Sequence, residues 1–187
     1  ILSIGKRVVA REAQALSALH LALGAEFTQT VQTILAAKGR VIVSGMGKSG
    51  HIARKIAATF VSTGTLAHYV HPAEASHGDL GMIGSDDVVM VLSNSGETAE
   101  LSDLLAHVAR FSIPMIGIAS RAGSTLLERA DVAVGHGLER LGDDLAARRD
   151  LVVGDRGRRN EPGETARAGH DHRHGYIHKQ RGVTLKK

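Results

Sequence analysis

Between residues 41 and 134, short apolar runs alternate with longer stretches of helical character, and this alternation constrains the fold more than any other feature. Apolar strands of four to six residues, with little polar alternation, are typical of a parallel sheet covered on both faces. The sequence therefore predicts an α/β fold with a doubly wound, mostly parallel five-stranded sheet. The predicted strands are residues 41–43, 66–70, 88–92, 115–119 and 132–134.

The segments on either side of this pattern differ from it and from each other. From residue 6 to residue 38 apolar residues recur every three or four positions, which predicts amphipathic helix with a break at Gly24. Further helices are predicted over residues 52–61, 97–110 and 124–130. We expect N-terminal helices over residues 1–39, an α/β domain over 40–134 and an atypical basic tail over 135–187.

The last forty residues account for the net positive charge of the chain. Residues 148–187 hold 11 of the 23 Lys and Arg residues but 5 of the 19 Asp and Glu residues, so the remainder of the chain is slightly acidic. Residues 138–151 could form a polar helix, but from residue 154 to residue 182 Arg, Gly and His dominate, and too few apolar side chains are present to offset the entropy of ordering that stretch. The sequence predicts that the tail is disordered.

Composition excludes several classes of protein. The chain has no Cys, which excludes disulfide scaffolds, thiolate zinc sites and cysteine nucleophiles. It has no apolar run of the roughly 18 residues that a membrane span needs. Aromatic residues make up 3% of the chain, and a net positive charge occurs only in a tail that also holds acids, so we expect no nucleic-acid partner.

The first candidate site is the glycine loop, residues 44–50, which follows a predicted strand and opens a predicted helix. It fits the G-x-G-x-x-G pattern, and its free N–H groups, with Ser44, Ser49 and Lys48, suit a phosphate group. A tight turn that needs glycine for its geometry is the alternative, but it explains neither Lys48 nor the serines. A dinucleotide is disfavoured, because His71 stands where a carboxylate for the ribose is expected.

The second candidate site is the serine loop, residues 93–98, which follows the third predicted strand. The hydroxyls of Ser93, Ser95 and Thr98 precede a predicted helix and form a second possible anion cradle. Helix capping, with Ser95 as N-cap, is the alternative interpretation. Two such loops at adjacent strand ends would suit a small phosphorylated ligand.

A histidine segment, residues 71–80, lies between the two loops in sequence. His71, Glu74, His77 and Asp79 could act as general acids and bases or as metal ligands. The spacing of the two histidines is not a standard zinc signature, and an ordinary surface loop is the alternative, because the chain has 11 His residues.

These three segments, residues 41–51, 71–81 and 93–98, together resemble a sugar isomerase (SIS) domain, and more narrowly the bacterial D-arabinose 5-phosphate isomerases. The resemblance covers about residues 1–134 and implies a flavodoxin-like SIS fold, with residues 40–134 as a phosphosugar-binding domain. It implies a cytoplasmic enzyme that interconverts D-arabinose 5-phosphate and D-ribulose 5-phosphate through an enediol, in the synthesis of the lipopolysaccharide sugar Kdo. It also implies a homotetramer that requires no cofactor.

The resemblance also implies roles for individual residues. Lys48 and Glu100 match catalytic positions of the family, and His71 matches a position at which some relatives bind zinc. His71 and three further residues match substrate-contacting positions of the family: Gly64, Thr65 and His77. With the loop hydroxyls, the expected substrate-binding set is Ser44, Ser49, Gly64, Thr65, His71, His77, Ser93, Ser95 and Thr98.

The resemblance stops at Val134. Beyond it the family supplies a second glutamate and a histidine, a candidate acid or base, whereas this tail shows neither motif, nor the paired regulatory (CBS) domains. A truncated gene product or a change of reading frame would explain the break and would impair catalysis. The alternative function is a non-catalytic sugar-phosphate-binding module, as in transcriptional regulators with SIS domains, although residues 6–38 do not suggest their helix-turn-helix.

Overall fold

The computed structural model describes residues 1–135 of the 187-residue chain. Within this part, five parallel strands form one sheet in the order β2-β1-β3-β4-β5. Helices cover both faces, so the predicted doubly wound α/β fold is confirmed; the predicted disorder of the tail lies outside the described residues. The strands are β1 (Val41–Gly45), β2 (Ala67–Val70), β3 (Val88–Leu92), β4 (Met115–Ile118) and β5 (Val132–Val134).

The helices follow the predicted pattern, with two corrected starting residues. The helix predicted from Ile52 begins at Gly47. The break at Gly24 is confirmed, but the helix predicted from Glu97 begins as a 3-10 turn at Ala99 and as α-helix at Ser102. Gly96 has a left-handed backbone, φ 69°, which turns the chain before a helix can start, so Ser95 is not its N-cap. The helices are α1 (Leu2–Ala22), α2 (Ala25–Ala36), α3 (Gly47–Ser62), α4 (Pro72–Ala75), α5 (Ser102–Arg110) and α6 (Thr125–Arg129), with 3-10 turns at Asp79–Met82 and Ala99–Leu101.

The core lies on both faces of the sheet. On one face Val41 and Val43 pack with Ala53 and Ala57, whose small side chains let α3 lie close to the strands. On the other face Ile42, which is fully buried, packs into a cluster with leucines of α5. Burial of one such side chain stabilises the fold by roughly 1.5–3 kcal/mol. Both faces are therefore apolar, which explains why β1 and β3 are apolar almost throughout.

An ion pair closes the amino edge of the sheet, where β1 and β3 begin. Asp87 Oδ1 accepts a hydrogen bond from Arg40 N (2.7 Å), and Asp87 Oδ2 accepts from Gly84 N (2.9 Å) and Arg40 Nη2 (3.2 Å). Arg40 Nη2 also donates to the carbonyl of Met82 (2.6 Å). Burial alone would raise the pKa of Asp87, but the hydrogen bonds from Gly84 and Arg40 outweigh it and lower that pKa.

The N-terminal helix α1 stands apart from the core. None of its 21 residues is buried against the rest of residues 1–135, and several of its large apolar side chains are exposed, Leu2, Val9 and Leu16 among them. Across residues 1–135, no helix combines the length and the apolar character that a membrane crossing demands.

Candidate functional site

The two predicted loops emerge side by side at the carboxyl edge of the sheet. β1 and β3 are paired neighbours, and their last residues, Gly45 and Leu92, are register partners. The chain runs from β1 to β2 on one side, and β3 lies on the other, so β1 and β3 flank the point at which the strand order reverses. Ligands of doubly wound sheets bind in the crevice at such a point.

Close packing explains the glycines of the glycine loop. A Cβ atom on Gly50 would lie 2.6 Å from the carbonyl oxygen of Gly45 and 2.9 Å from Tyr69 Oη. A Cβ on Gly45 would lie 2.9 Å from the carbonyl oxygen of Leu92. The loop forms the first turn of α3, so that α3 begins at Gly47, five residues earlier than predicted. The tight-turn interpretation thus accounts for Gly45 and Gly50, but not for the exposed Lys48.

Ser44 and Tyr69 fix the start of this loop. Ser44 is fully buried, and its hydroxyl donates to the carbonyl of Val70 (2.8 Å). Tyr69 Oη donates to the carbonyl of Gly45 (3.1 Å), and the guanidinium of Arg54 lies 4.3 Å from the Tyr69 ring centroid. Sequence reasoning missed Tyr69, because its contact with Gly45 joins two strands.

Within the serine loop, hydroxyls shape the backbone. Ser93 Oγ accepts a hydrogen bond from Gly96 N (3.0 Å) and lies 2.7 Å from Thr98 Oγ1. Ser95 Oγ accepts from Glu97 N (3.2 Å) and is exposed, whereas Ser93 is 5% exposed. Ligand contacts by these hydroxyls stay a prediction, with Ser95 the most accessible of the three.

The serine loop is also bonded to the segment between β4 and α6. Glu97 Oε1 accepts from Thr125 N (3.0 Å), and Glu97 Oε2 accepts from Thr125 Oγ1 (2.7 Å). Ser120 Oγ donates to the carbonyl oxygen (2.6 Å) and the side-chain oxygen (3.0 Å) of Asn94. The pKa of Glu97 is lowered, chiefly by the hydrogen bonds from Thr125. Sequence reasoning missed these residues, whose partners lie up to 28 positions away.

The histidine segment places its two histidines in different surroundings. His71 directly follows β2, and its Nδ1 is buried without a hydrogen-bond partner among residues 1–135; its ring packs edge-on against Tyr69. His77 is exposed, with Nδ1 3.2 Å from the carbonyl oxygen of Ala73. No group of three or more potential metal ligands occurs within residues 1–135. The described residues therefore do not complete a zinc site around His71.

The remaining predicted residues divide between the two edges of the sheet. Lys48 on the first turn of α3 and Glu100 in the 3-10 turn before α5 are both exposed, and both follow strands at the carboxyl edge. Ser49 is half-buried beside Lys48. Gly64 and Thr65 instead follow the far end of α3 and precede β2, at the amino edge. A helix of 16 residues is roughly 24 Å long, so within one chain they lie far from Lys48.

Comparison with known proteins gives consistent matches. A model of the SIS domain matches residues 34–135. The arabinose 5-phosphate isomerase KdsD of Pseudomonas aeruginosa is 50% identical over 127 residues, covering 68% of this chain and 39% of that protein. KdsD of Escherichia coli K12 is 48% identical over 128 residues, covering 68% of this chain and 39% of that protein.

A solved structure shows the same similarity in three dimensions. The c3406 protein of E. coli CFT073, in complex with arabinose 5-phosphate, is 38% identical with a TM-score of 0.63, over 71% of this chain and 72% of that one. This chain spans about two fifths of the length of the curated relatives that it matches.

Proposed function

Because the chain belongs to the SIS domain family, we propose that it is an aldose–ketose isomerase that interconverts D-arabinose 5-phosphate and D-ribulose 5-phosphate. The observation that carries the proposal is the pairing of β1 with β3, which brings two loops suited to phosphate to one crevice. The identity to two KdsD isomerases, and the similarity to a protein in complex with arabinose 5-phosphate, support this substrate class.

The proposed mechanism divides the work between the loops and two side chains. Free N–H groups at the start of α3 and the serine-loop hydroxyls bind the phosphate. The Glu100 carboxylate removes the proton from C2 of the aldose, and the Lys48 ammonium stabilises the negative charge on the enediolate oxygen. A proton passes from the C2 hydroxyl to the oxygen on C1, and the protonated Glu100 carboxyl then returns its proton to C1. This leaves a hydroxyl group on C1 and the carbonyl group at C2. Both side chains are exposed and follow adjacent strands, as this division requires.

The test is isomerisation by the full 187-residue chain, with arabinose 5-phosphate supplied and ribulose 5-phosphate measured. We expect Lys48→Ala and Glu100→Gln each to lower kcat by about 10²-fold or more, since general acid–base groups contribute about 10²–10⁴-fold. Lys55→Ala, on the same helix, and Glu128→Gln, an exposed carboxylate on α6, are the matched controls. Activity that survives the first two substitutions would refute the assignments. Saturable binding without turnover would favour the non-catalytic module.

We further propose a homo-oligomer, a tetramer by resemblance, in cytoplasmic Kdo synthesis. Two observations support assembly: α1 exposes apolar side chains, and Gly64 and Thr65 lie at the amino edge. These two residues could contact the same sugar as Lys48 only if they came from a second copy. Size-exclusion chromatography with light scattering tests the assembly. A monomer at micromolar concentration would contradict it, and Leu16→Lys in α1 should shift the equilibrium toward monomer.

A further inference from the structure

We propose that Glu97 is a positioning residue: by holding Thr125, it keeps the serine loop in its phosphate-binding shape. The nature of the ligand rests on the proposed function. The two hydrogen bonds between Glu97 and Thr125, called the Glu97–Thr125 tie below, do not depend on it. Glu97 belongs to the loop itself, whereas Thr125 is the first residue of α6.

The geometry of the Glu97 carboxylate supports a holding role instead of a ligand contact. Each of its oxygens accepts one hydrogen bond from Thr125, one from the backbone N–H and one from the hydroxyl. Hydrogen bonds to an ionised acceptor are about twice as strong as neutral ones. A carboxylate beside a phosphate would repel it, but this one has its charge directed toward the start of α6.

The backbone beside Glu97 is held at two further points. The carbonyl of Gly96 accepts a hydrogen bond from Leu126 N (3.0 Å), and the carbonyl of Asn94 accepts from Ser120 N (3.1 Å) and Ser120 Oγ (2.6 Å). Asn94, Gly96 and Glu97 are thus all bonded to the connection between β4 and α6 or to the start of α6. The loop is fixed from outside as well as by its own Ser93 and Thr98 hydroxyls.

The serine loop also packs closely against Ser124, which precedes α6. A Cβ atom on Gly96 would collide with both Oγ and Cβ of Ser124, so the loop lies directly against Ser124. Ser124 is fully buried, and Gly96 is buried too. The serine loop therefore packs closely against the β4–α6 connection, and the exposed side chain of Glu97 adds hydrogen bonds that hold it there.

The consequence for binding is entropic. A loop already held in its bound conformation loses little conformational freedom when a ligand arrives, whereas a released loop must be ordered at that moment. Removing the carboxylate leaves the N–H groups and hydroxyls of the loop in place but frees them to move. We therefore expect weaker phosphate binding without any loss of a ligand contact.

The test compares four variants of the full chain: Glu97→Ala and Thr125→Val, which break the tie, Glu97→Gln, which can still accept from Thr125 N, and Glu128→Gln as control. Amide hydrogen exchange is followed at Gly96 and Leu126, whose N–H groups make the bonds described above. Affinity for inorganic phosphate and for arabinose 5-phosphate is measured by calorimetry at a temperature at which every variant is fully folded.

We expect Glu97→Ala to speed hydrogen exchange at both amides and to lower the affinity for both ligands about tenfold, equivalent to about 1.4 kcal/mol. Thr125→Val should have a smaller effect, and Glu97→Gln should recover most of the loss. A lower melting temperature with unchanged affinity would reduce Glu97 to a structural residue and overturn the inference. If Glu97→Ala left amide exchange at Gly96 and Leu126 unchanged, the Glu97–Thr125 tie would not hold the loop, whichever ligand binds. A wild-type chain that binds neither ligand would refute the proposed function, while exchange would still decide whether Glu97 holds the loop.

Discussion

The Ser44 hydroxyl donates a hydrogen bond to the carbonyl of Val70 over 2.8 Å, and so joins the carboxyl ends of β1 and β2 at the root of the glycine loop. Ser44 is fully buried, so solvent does not compete for this bond. The sequence predicts that Ser44 contacts the substrate, but in the structure its hydroxyl is already engaged in this hydrogen bond.

Replacing Ser44 with Ala should therefore lower the free energy of unfolding, by about 1–2 kcal/mol, because the carbonyl of Val70 loses its buried partner. Affinity for arabinose 5-phosphate should change by less than about twofold, which is about 0.4 kcal/mol. Urea unfolding and calorimetry measure the two quantities. A large affinity loss would show that the hydroxyl leaves Val70 for the ligand, as the sequence analysis expected. Ser62→Ala, an exposed serine at the end of α3, is the control.

The Arg40–Asp87 pair should make stability depend on pH. The pKa of Asp87 is lowered in the folded state, so its contribution is complete above the unfolded value of about 3.9 and is lost as the pH falls through the folded value. Asp87→Asn should cost about 1–3 kcal/mol at pH 7, because the N–H groups of Arg40 and Gly84 lose the carboxylate that accepts their hydrogen bonds.

The measurement is urea unfolding of wild type and Asp87→Asn from about pH 7 to pH 3. The difference between them should narrow below about pH 4, as Asp87 becomes protonated in the wild type. The exposed neighbour Asp86, changed to Asn, serves as control and should give a small, nearly constant difference. A difference between wild type and Asp87→Asn that stays constant across this range would contradict the assignment.

Gly96→Ala should be much more damaging than Gly123→Ala. Both glycines have a left-handed backbone, with φ of 69° and 65°, so both substitutions carry the same backbone strain of about 1 kcal/mol. A Cβ on Gly123 meets nothing within 4 Å, whereas one on Gly96 would collide with Ser124. Thermal unfolding should show an additional loss for Gly96→Ala, of about 1–3 kcal/mol. Equal losses would mean that the loop does not lie against Ser124.

Ser124→Ala should leave stability unchanged or raise it by up to about 1 kcal/mol. The Ser124 hydroxyl is buried with no hydrogen-bond partner among residues 1–135, and a hydroxyl in that state costs free energy that a methyl group does not. Ser124 precedes α6 but its side chain makes no capping bond to that helix. Chemical denaturation measures the effect, and a loss above about 1 kcal/mol would indicate a partner for the hydroxyl.

The sequence was sufficient to predict the sheet because each strand carries its own local signal. Strand limits agree to within one or two residues, and the helix break at Gly24 is where the pattern indicated. The predicted start of the helix after the serine loop was wrong, because the chain makes a left-handed turn at Gly96, where it packs against Ser124. Ser124 is distant from Gly96 along the chain, so a local sequence pattern does not reveal this contact.

In the candidate site, too, residues in local motifs were predictable and residues that act through distant contacts were not. Lys48 and the two loops were predictable because glycine, hydroxyl and lysine stand together in sequence after a strand. Glu97 and Tyr69 were not, since their roles come from contacts with Thr125 and Gly45 on other elements. For Gly64, the predicted strand over residues 66–70 already implied a place before β2, at the amino edge of the sheet; the length of α3 sets its distance from Lys48.

The register between β1 and β3 also limits which lengths the chain can tolerate. These strands pair residue for residue, from Val41 with Val88 to Gly45 with Leu92. One residue inserted into β1 would move its end by about 3.3 Å and exchange the side chains of the two faces. Insertions and deletions should therefore be confined to exposed connections between the strands and helices, where a change of length does not alter the pairing of β1 with β3.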